Sequence, residues 1–196
     1  MPHPLVPLDP VEHSVVLDLV YATPHNITGK PIYARPVCLM HRDAQRCLHR
    51  AALAALDLGL RLKIFDAFRP QEAQVLLWDA APDKVYVADP SVGSNHTRGV
   101  AVDLTLVGAN GLELDMGTAF DDMTALSHHY SEKVSPEAQS NRLLLLNLME
   151  DAGFECIPFE WWHYALPNVE QYPLVPSTHL GELNPMLPLG EPNSAK

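Results

Sequence analysis

The chain has few cysteines, few basic residues and no long apolar run, and each shortage argues against a class of protein. Its three cysteines (Cys38, Cys47 and Cys156) are an odd number without a CxxC spacing, which predicts reduced thiols rather than a disulfide framework or a cysteine metal site. No apolar run approaches the ~20 residues of a membrane span. The opening residues, MPHPLVPLDPVEHS, lack the basic and apolar regions of a secretory signal. We therefore predict a cytoplasmic protein without a membrane partner.

Basic residues are also too few and too scattered for nucleic-acid binding. The chain has 13 Lys and Arg against 24 Asp and Glu, for a formal net charge of −11. Nucleic-acid binders concentrate positive charge in a patch, so small polar substrates or protein partners are favoured. Apolar residues make up 47% of the 196 residues and charged residues 19%, as in ordinary globular proteins. This length predicts one domain over residues 1–196.

Local patterns predict a mixture of strands and helices. Alternating or β-branched runs predict strands at 15–22, 62–68, 100–107 and 159–166. Apolar residues at helical spacing predict helices at 41–60, 71–81 and 136–154. Asn110-Gly111 predicts a hairpin turn within 109–117, and recurrent prolines predict an irregular surface tail from about 167 to 196, partly mobile at its end. Because the order lacks a regular βαβ alternation, we predict an α+β fold with a mostly antiparallel central sheet flanked by helices.

The segment SNHTRGVAVDLT (94–105) places a histidine and an acid around a glycine. Asp103 lies within a predicted apolar strand, where a buried carboxylate is costly unless a positive group meets it. Gly99 permits a tight turn just before that strand, which can bring His96 back towards the same point. These residues predict either a metal site or a hydrogen bond between His96 and Asp103, and the segment alone does not choose between them.

A second cluster, EWWHY (160–164), adds Glu160 and His163. Together, His96, Asp103 and His163 form a three-ligand nitrogen and oxygen set that leaves a fourth tetrahedral position for water, as in catalytic zinc sites. Glu160 is then the free carboxylate available as general base. Since an ideal strand directs residues i and i+3 to opposite faces, a bulge or turn is needed to bring both side chains inward.

The third element is DAFRP (66–70), in which Arg69 follows a predicted strand. A permanently charged guanidinium there could stabilise a developing oxyanion. Ordinary structural explanations stay open: a surface ion pair for Arg69, a turn or cap for Asp103, and core packing for the adjacent tryptophans 161 and 162. We predict that the adjacent histidines His128 and His129 are not ligands.

Taken together, these motifs resemble a known family. SNHTRGVAVD fits S-x-H-x-x-G-x-A-x-D, and EWWHY fits E-x-x-H. With the Arg-Pro of DAFRP they resemble the zinc D-alanyl-D-alanine dipeptidases of the VanX type, relatives of the D,D-carboxypeptidases and of hedgehog-type domains. YATPHNITGKPIY, LDMGTAFDDM and NRLLLLNLM resemble the family in the same order. The resemblance covers about residues 15–166 and implies a hedgehog or D,D-peptidase-like fold.

The resemblance also implies a reaction, the hydrolysis of D-alanyl-D-alanine to two D-alanines, and a catalytic set. It implies one zinc ion per chain, held by His96, Asp103 and His163. Glu160 is implied to act as the catalytic base and acid, and Arg69 to stabilise the tetrahedral intermediate. Two other functions are open: a D,D-carboxypeptidase acting on longer peptidoglycan peptides, and a non-catalytic binding module that keeps a zinc ion.

Substrate contacts are implied in the same way. Asp121 matches the residue that pairs with the substrate's free amino group, assisted by Tyr21. Ser94 matches a contact to the substrate carboxylate, and Tyr33 is a further match after TGKP, where the spacing differs. Phe68 stands where many relatives carry a tyrosine. The implied partner is a small dipeptide, and the sequence does not predict the oligomeric state.

Overall fold

The computed structural model describes residues 4–188, in which three α-helices and seven strands alternate with short 3₁₀ turns. The helices are α1 (Arg42–Asp57), α2 (Gln71–Ala80) and α3 (Pro136–Asp151). The strands are β1 (Leu5–Pro7), β2 (Val16–Leu17), β3 (Leu39–His41), β4 (Arg61–Asp66), β5 (Ala101–Val107), β6 (Glu155–Ile157) and β7 (Glu160–Ala165).

A five-stranded sheet with the order β2-β4-β5-β7-β6 organises the molecule. The short strand β2 runs parallel to β4, and the other three pairs are antiparallel. A separate two-stranded antiparallel sheet joins β1 to β3. The α+β fold with a mostly antiparallel sheet is therefore confirmed.

Helices α1 and α3 begin and end at residues whose side chains suit those positions. The His41 side chain accepts a hydrogen bond from the Asp43 backbone nitrogen at the start of α1, and the Ser135 hydroxyl accepts one from Ala138 at the start of α3. Such bonds satisfy backbone donors that have no partner inside the helix. Gly59 and Gly153 follow the two helices with φ of +74° and +97°, which glycine adopts without steric cost.

Strand β5 separates the apolar core from a polar face, and all seven of its residues are buried. Val102, Leu104 and Leu106 belong to the main core cluster together with side chains of α1 and α3. Because successive side chains in a strand point to opposite faces, Asp103 and Thr105 face away from that cluster. The strand thus buries a carboxylate on the face opposite α1 and α3.

Several predicted boundaries need correction. The strand predicted at 15–22 is wrong in its second half: only Val16–Leu17 pairs with β4, and Val20–Ala22 forms a 3₁₀ turn that buries Tyr21. The predicted hairpin has Gly111 at φ +77° but closes with only an isolated bridge, Val107 to Glu113. Strands β1, β3 and β6 were not predicted, because three-residue segments carry too little alternation.

The proline-rich tail is more ordered than predicted over the residues that can be described. Three 3₁₀ turns punctuate it up to Leu183, and Val175 and Leu180 are buried against Leu5, Leu39 and Phe68. This part of the tail therefore packs as a layer on β1 and β3, while the end predicted to be mobile lies outside the described residues. Among residues 4–188, no helix is long and apolar enough to cross a membrane.

Candidate active site

Three predicted ligands meet at the polar face of the sheet. His96 Nε2 lies 3.1 Å from His163 Nδ1 and 3.3 Å from Asp103 Oδ1, and the last two atoms are 3.0 Å apart. All three side chains are buried. Asp103 on β5 and His163 on β7 are direct cross-strand partners, so the sheet register itself brings their side chains to the same face.

A change of register between β6 and β7 brings Glu160 to the same group. Ile157 pairs with Glu160, whereas the preceding Cys156 pairs with Tyr164, so the ladder is irregular between these pairs. This is the bulge that the i, i+3 spacing required. Glu160 Oε2 consequently lies 4.0 Å from His163 Nδ1, close to the three ligand atoms.

Gly99 fixes the turn that returns His96 to the strand. Its φ is +73°, and its amide donates a hydrogen bond to the His96 carbonyl at 2.9 Å. A Cβ at this position would overlap the Leu5 side chain and lie 3.2 Å from the His41 backbone nitrogen. The segment therefore needs glycine both for its backbone conformation and for the space around it.

The donor set fits a tetrahedral metal ion. His96 Nδ1 lies 2.6 Å from the Ala67 carbonyl and donates to it, which leaves the Nε2 lone pair directed at Asp103 and His163. The ligand atoms are 3.0–3.3 Å apart, close to the roughly 3.3 Å expected between ligands of a tetrahedral ion with bonds of about 2.0–2.1 Å. A cation would satisfy all three atoms at once. A hydrogen bond donated by His163 Nδ1 to Asp103 Oδ1 would instead leave the unprotonated His96 Nε2 3.3 Å from that carboxylate oxygen with no proton between them.

Charge neighbours set the protonation of the two central acids. Burial by itself raises the pKa of Asp103, but His96 and His163 outweigh burial and hold that pKa well below its usual value. Burial raises the pKa of Glu160 to about 8, assisted by the negative charges of Asp103 and Asp121. A carboxyl group with a pKa near neutrality can both accept and return a proton.

Arg69 is buried beside the ligands, so a solvent-exposed ion pair does not explain it. Its Nε donates to Asp66 Oδ2 at 2.8 Å, its Nη2 to Asp103 Oδ2 at 3.2 Å and its Nη1 to Gln74 Oε1 at 3.1 Å. The guanidinium carbon also lies 5.0 Å from the centre of the Tyr21 ring. These contacts use three of the five N–H groups of a guanidinium and fix its plane, while Arg69 still lines the adjoining cavity.

Asp121 and Tyr21 form a second polar pair. The Tyr21 hydroxyl lies 3.0 and 3.1 Å from the two carboxylate oxygens of Asp121. Burial raises the pKa of Asp121 to about 7, and the nearby charge of Asp103 adds to this effect. Asp121 has a φ of +60°, an uncommon conformation for a residue other than glycine. Such a strained acid at a cavity wall is typical of a binding position.

These groups surround one cavity of about 220 Å³. Its polar lining includes both histidine ligands, Asp103, Glu160, Arg69, Asp121, Tyr21 and Ser94. Its apolar lining includes Ile27, Leu77, Val87, Met123, Ile157 and Trp162. The volume lies below the roughly 300–1,000 Å³ of pockets for drug-sized ligands, so the cavity suits a small polar molecule with short apolar groups.

Comparison with known proteins agrees with this geometry. A family model described as D-ala-D-ala dipeptidase matches residues 1–181. The chain belongs to the D-Ala-D-Ala dipeptidase family. The D-alanyl-D-alanine dipeptidase of Escherichia coli (strain K12) is 49% identical over 171 residues, covering 87% of this chain and 89% of the relative. The D-alanyl-D-alanine dipeptidase of Enterococcus faecium is 36% identical over 191 residues, covering 85% of this chain and 92% of the relative. The D-alanyl-D-alanine dipeptidase of Streptomyces coelicolor is 34% identical over 192 residues, covering 84% of this chain and 94% of the relative. The chain is therefore an enzyme of the peptidase class.

Two other residues implied by resemblance to the D-Ala-D-Ala dipeptidases occupy different positions relative to the cavity. Ser94 lines the cavity, and its hydroxyl accepts a hydrogen bond from the His96 backbone nitrogen at 3.2 Å. Tyr33 is buried and is not among the lining residues; its hydroxyl donates to Asp66 Oδ1 at 2.8 Å. Phe68 packs with Leu39 in an apolar cluster and is likewise not among the lining residues. A direct substrate contact of Tyr33 stays a prediction.

The sequence motifs did not predict a role for Asp66, although the site depends on this residue. It accepts hydrogen bonds from both Tyr33 and Arg69, and its Oδ2 lies 3.7 Å from His96 Nδ1. Burial raises the pKa of Asp66 and the charge of Arg69 opposes that rise. An acid at the end of an apolar strand, three residues before an arginine, was the available signal. Within residues 4–188, the only group of three or more potential ligands is His96, Asp103 and His163. His128 and His129 are not members of this group.

Proposed function

We propose that the chain is a zinc-dependent dipeptidase that hydrolyses D-alanyl-D-alanine to two D-alanines. The observation that carries the proposal is the convergence of a three-ligand metal triangle, a free carboxylate and a second acid on one small cavity. Membership of the family supports the substrate, since the relatives carry this activity in their names. D-stereospecificity rests on that membership alone.

His96, Asp103 and His163 would hold the zinc ion. When bound, zinc lowers the pKa of a water ligand towards ~7 and polarises a carbonyl oxygen. Glu160, whose carboxylate lies 4.0 Å from His163 Nδ1, accepts the proton of the attacking water. Glu160 then delivers this proton to the nitrogen of the leaving D-alanine, so the same carboxyl group acts as base and as acid.

Arg69 stabilises the negative charge that develops on the peptide oxygen. Its plane is fixed by Asp66, Gln74 and Asp103, so its free N–H groups need no reorganisation during the reaction. Removing one such donor in other enzymes costs roughly 10²–10³ in kcat. Tyr33 supports this arrangement indirectly, through its hydrogen bond to Asp66.

The two charged ends of the dipeptide bind to different residues of the cavity. Asp121, oriented by Tyr21, pairs with the ammonium group, and a substrate cation stabilises the ionised form of this acid. Ser94 contacts the carboxylate from the turn that carries His96. Recognition of both ends disfavours longer peptides, because their extra residues remove one of the charges from its partner.

The test is an assay of all four stereoisomers of Ala-Ala, with and without a chelator, alongside a measurement of zinc content. We expect one zinc ion per chain and release of D-alanine from the D,D isomer alone, abolished by the chelator and restored by zinc. Faster cleavage of a pentapeptide wall precursor than of the dipeptide would favour a D,D-carboxypeptidase. A zinc-loaded protein inactive on every isomer would contradict an enzymatic role for this cavity and favour a binding module.

A further inference from the structure

Three aromatic side chains from separate segments meet at the edge of the cavity. Tyr86 ends the 3₁₀ turn Lys84–Tyr86 that follows α2, His128 follows the turn Ala125–Ser127, and Phe159 directly precedes β7. The Tyr86 hydroxyl lies 3.2 Å from His128 Nε2, within hydrogen-bond distance. The His128 ring packs edge-on against Phe159 with 6.4 Å between the ring centres. We call these three residues the aromatic rim.

The rim lies at the solvent end of the cavity. Tyr86 and Phe159 both line the cavity, yet Phe159 is 37% exposed, and Val85, beside Tyr86, is 67% exposed. At the other end, Tyr21 and Glu160 are only 2% and 7% exposed. His128 therefore bridges two exposed segments of the cavity wall, and its hydrogen bond to Tyr86 keeps them together.

One residue of the rim, His128, belongs to the same loop as the acid proposed to hold the substrate's ammonium group. Asp121 and His128 both lie between β5 and α3, and Met123, between them, lines the cavity. Tyr21, the hydrogen-bond partner of Asp121, is at the buried end of the cavity. A residue added to the amino end of a dipeptide bound at Asp121 must therefore leave the cavity outward, in the direction of the rim.

We propose that the aromatic rim sets the length of the substrate by obstructing peptides that are extended at their amino end. This inference rests on the proposed function and deepens it. The rim admits free D-alanyl-D-alanine and excludes the same two residues when they end a longer wall peptide. Asp121 discriminates between peptides through the position of their charged ammonium group, whereas the rim discriminates through the space left for an added residue. The two effects are therefore separable.

The test compares two variants on two peptides. His128→Ala removes the bridging ring, and Tyr86→Phe removes only the hydroxyl that holds it. The substrates are D-Ala-D-Ala and L-Ala-D-Ala-D-Ala, and the measured quantity is the ratio of kcat/KM for the tripeptide to that for the dipeptide. We expect the ratio to rise about tenfold in His128→Ala, the scale of one hydrogen bond with its contacts, and less in Tyr86→Phe.

The controls change the same residue types elsewhere. Tyr130→Phe alters a tyrosine that is 63% exposed in the same loop, and His25→Ala alters an exposed histidine. Both should keep the wild-type ratio. A rise in absolute tripeptide turnover cannot come from partial unfolding, so it separates the rim from a merely structural role.

Calorimetric binding of the tripeptide supplies a readout that does not depend on turnover. Tighter binding to His128→Ala than to the wild-type protein supports the rim, even if the wild-type protein fails to cleave the dipeptide and the proposed function falls. A rise in the turnover ratio that is confined to His128→Ala also supports the proposal and shows that the His128 ring is the obstruction. If neither variant changes the turnover ratio or tripeptide binding by more than twofold, the proposal is wrong.

Discussion

Replacing Asp121 by asparagine should weaken catalysis and, at the same time, stabilise the fold. The substitution keeps the shape of the side chain and removes a carboxyl group whose pKa is raised from 3.8 to about 7, first by burial and then by the charge of Asp103. Asparagine also tolerates the φ of +60° at this position. The native acid is therefore a site where binding of substrate is favoured at the expense of stability.

The size of the gain follows from the pKa. A rise of about 3 units corresponds to roughly 4 kcal/mol in the free energy of unfolding, at 1.36 kcal/mol per unit. Because the Asp121 side chain is only partly shielded from solvent, screening reduces the expected gain to about 1–2 kcal/mol. The penalty is absent below pH 3.8, where the acid is protonated in both states, and is complete above about pH 7. The variant's advantage should therefore grow across this interval.

Urea unfolding at pH 4 and pH 8, with chelator present for both proteins, measures this difference. At pH 8 the midpoint should be higher for Asp121→Asn, whereas kcat/KM for the dipeptide should fall roughly 10- to 100-fold, the cost of losing a charged hydrogen bond. The neighbouring Asp122→Asn is the matched control and should change neither. A less stable Asp121→Asn protein at pH 8, or one with undiminished kcat/KM, would refute the reasoning.

Three further substitutions test the site. Glu160→Gln should lower kcat by about 10²–10⁴ with zinc content unchanged; loss of zinc together with activity would argue against a role as base. Asp66→Asn should cost roughly 1–3 kcal/mol of stability, because its amide NH2 replaces an oxygen that accepts a hydrogen bond from Tyr33 or Arg69, and Asp103 alone remains as a charge partner of Arg69. It should also lower kcat more than it alters KM; thermal unfolding and steady-state kinetics check both, and an effect on KM alone would contradict it. Gly99→Ala should lower stability by about 2–4 kcal/mol. Gly29→Ala, with a similar φ of +67° but nothing within 4 Å of the added Cβ, isolates the backbone part, and equal losses of melting temperature in the two would show that the Leu5 overlap is unimportant.

Short-range patterns predicted most of the regular elements. The helices around Leu48 and Leu145 were predicted from apolar spacing, because this signal acts within a few neighbouring residues. The failures were three-residue strands and the 3₁₀ turn at Tyr21. In these segments the backbone conformation is set by contacts with residues distant in the sequence. Such contacts produce no local periodicity of apolar residues.

The candidate site shows the same difference between local patterns, which were predicted, and long-range contacts, which were not. The residue types and spacings of SNHTRGVAVD and EWWHY identified His96, Asp103 and His163 as a ligand set, and predicted that a bulge must accompany Glu160 and His163. Neither motif gave the distances between these three side chains. Pairing of β5 with β7 supplied those distances by placing Asp103 opposite His163.

The sequence alone determined which chemical groups the protein has for its reaction, because ligand, base and guanidinium are properties of individual side chains. Only the tertiary structure decided what holds those groups in place: Asp66 beneath Arg69, Tyr33 behind Asp66, and His128 between two walls of the cavity. Asp66 lies in the same short stretch as Arg69, but the other two contacts join residues 33 and 42 positions apart. Such partners are chosen by how the sheet and its loops pack, and no pattern within a short stretch of sequence records that choice.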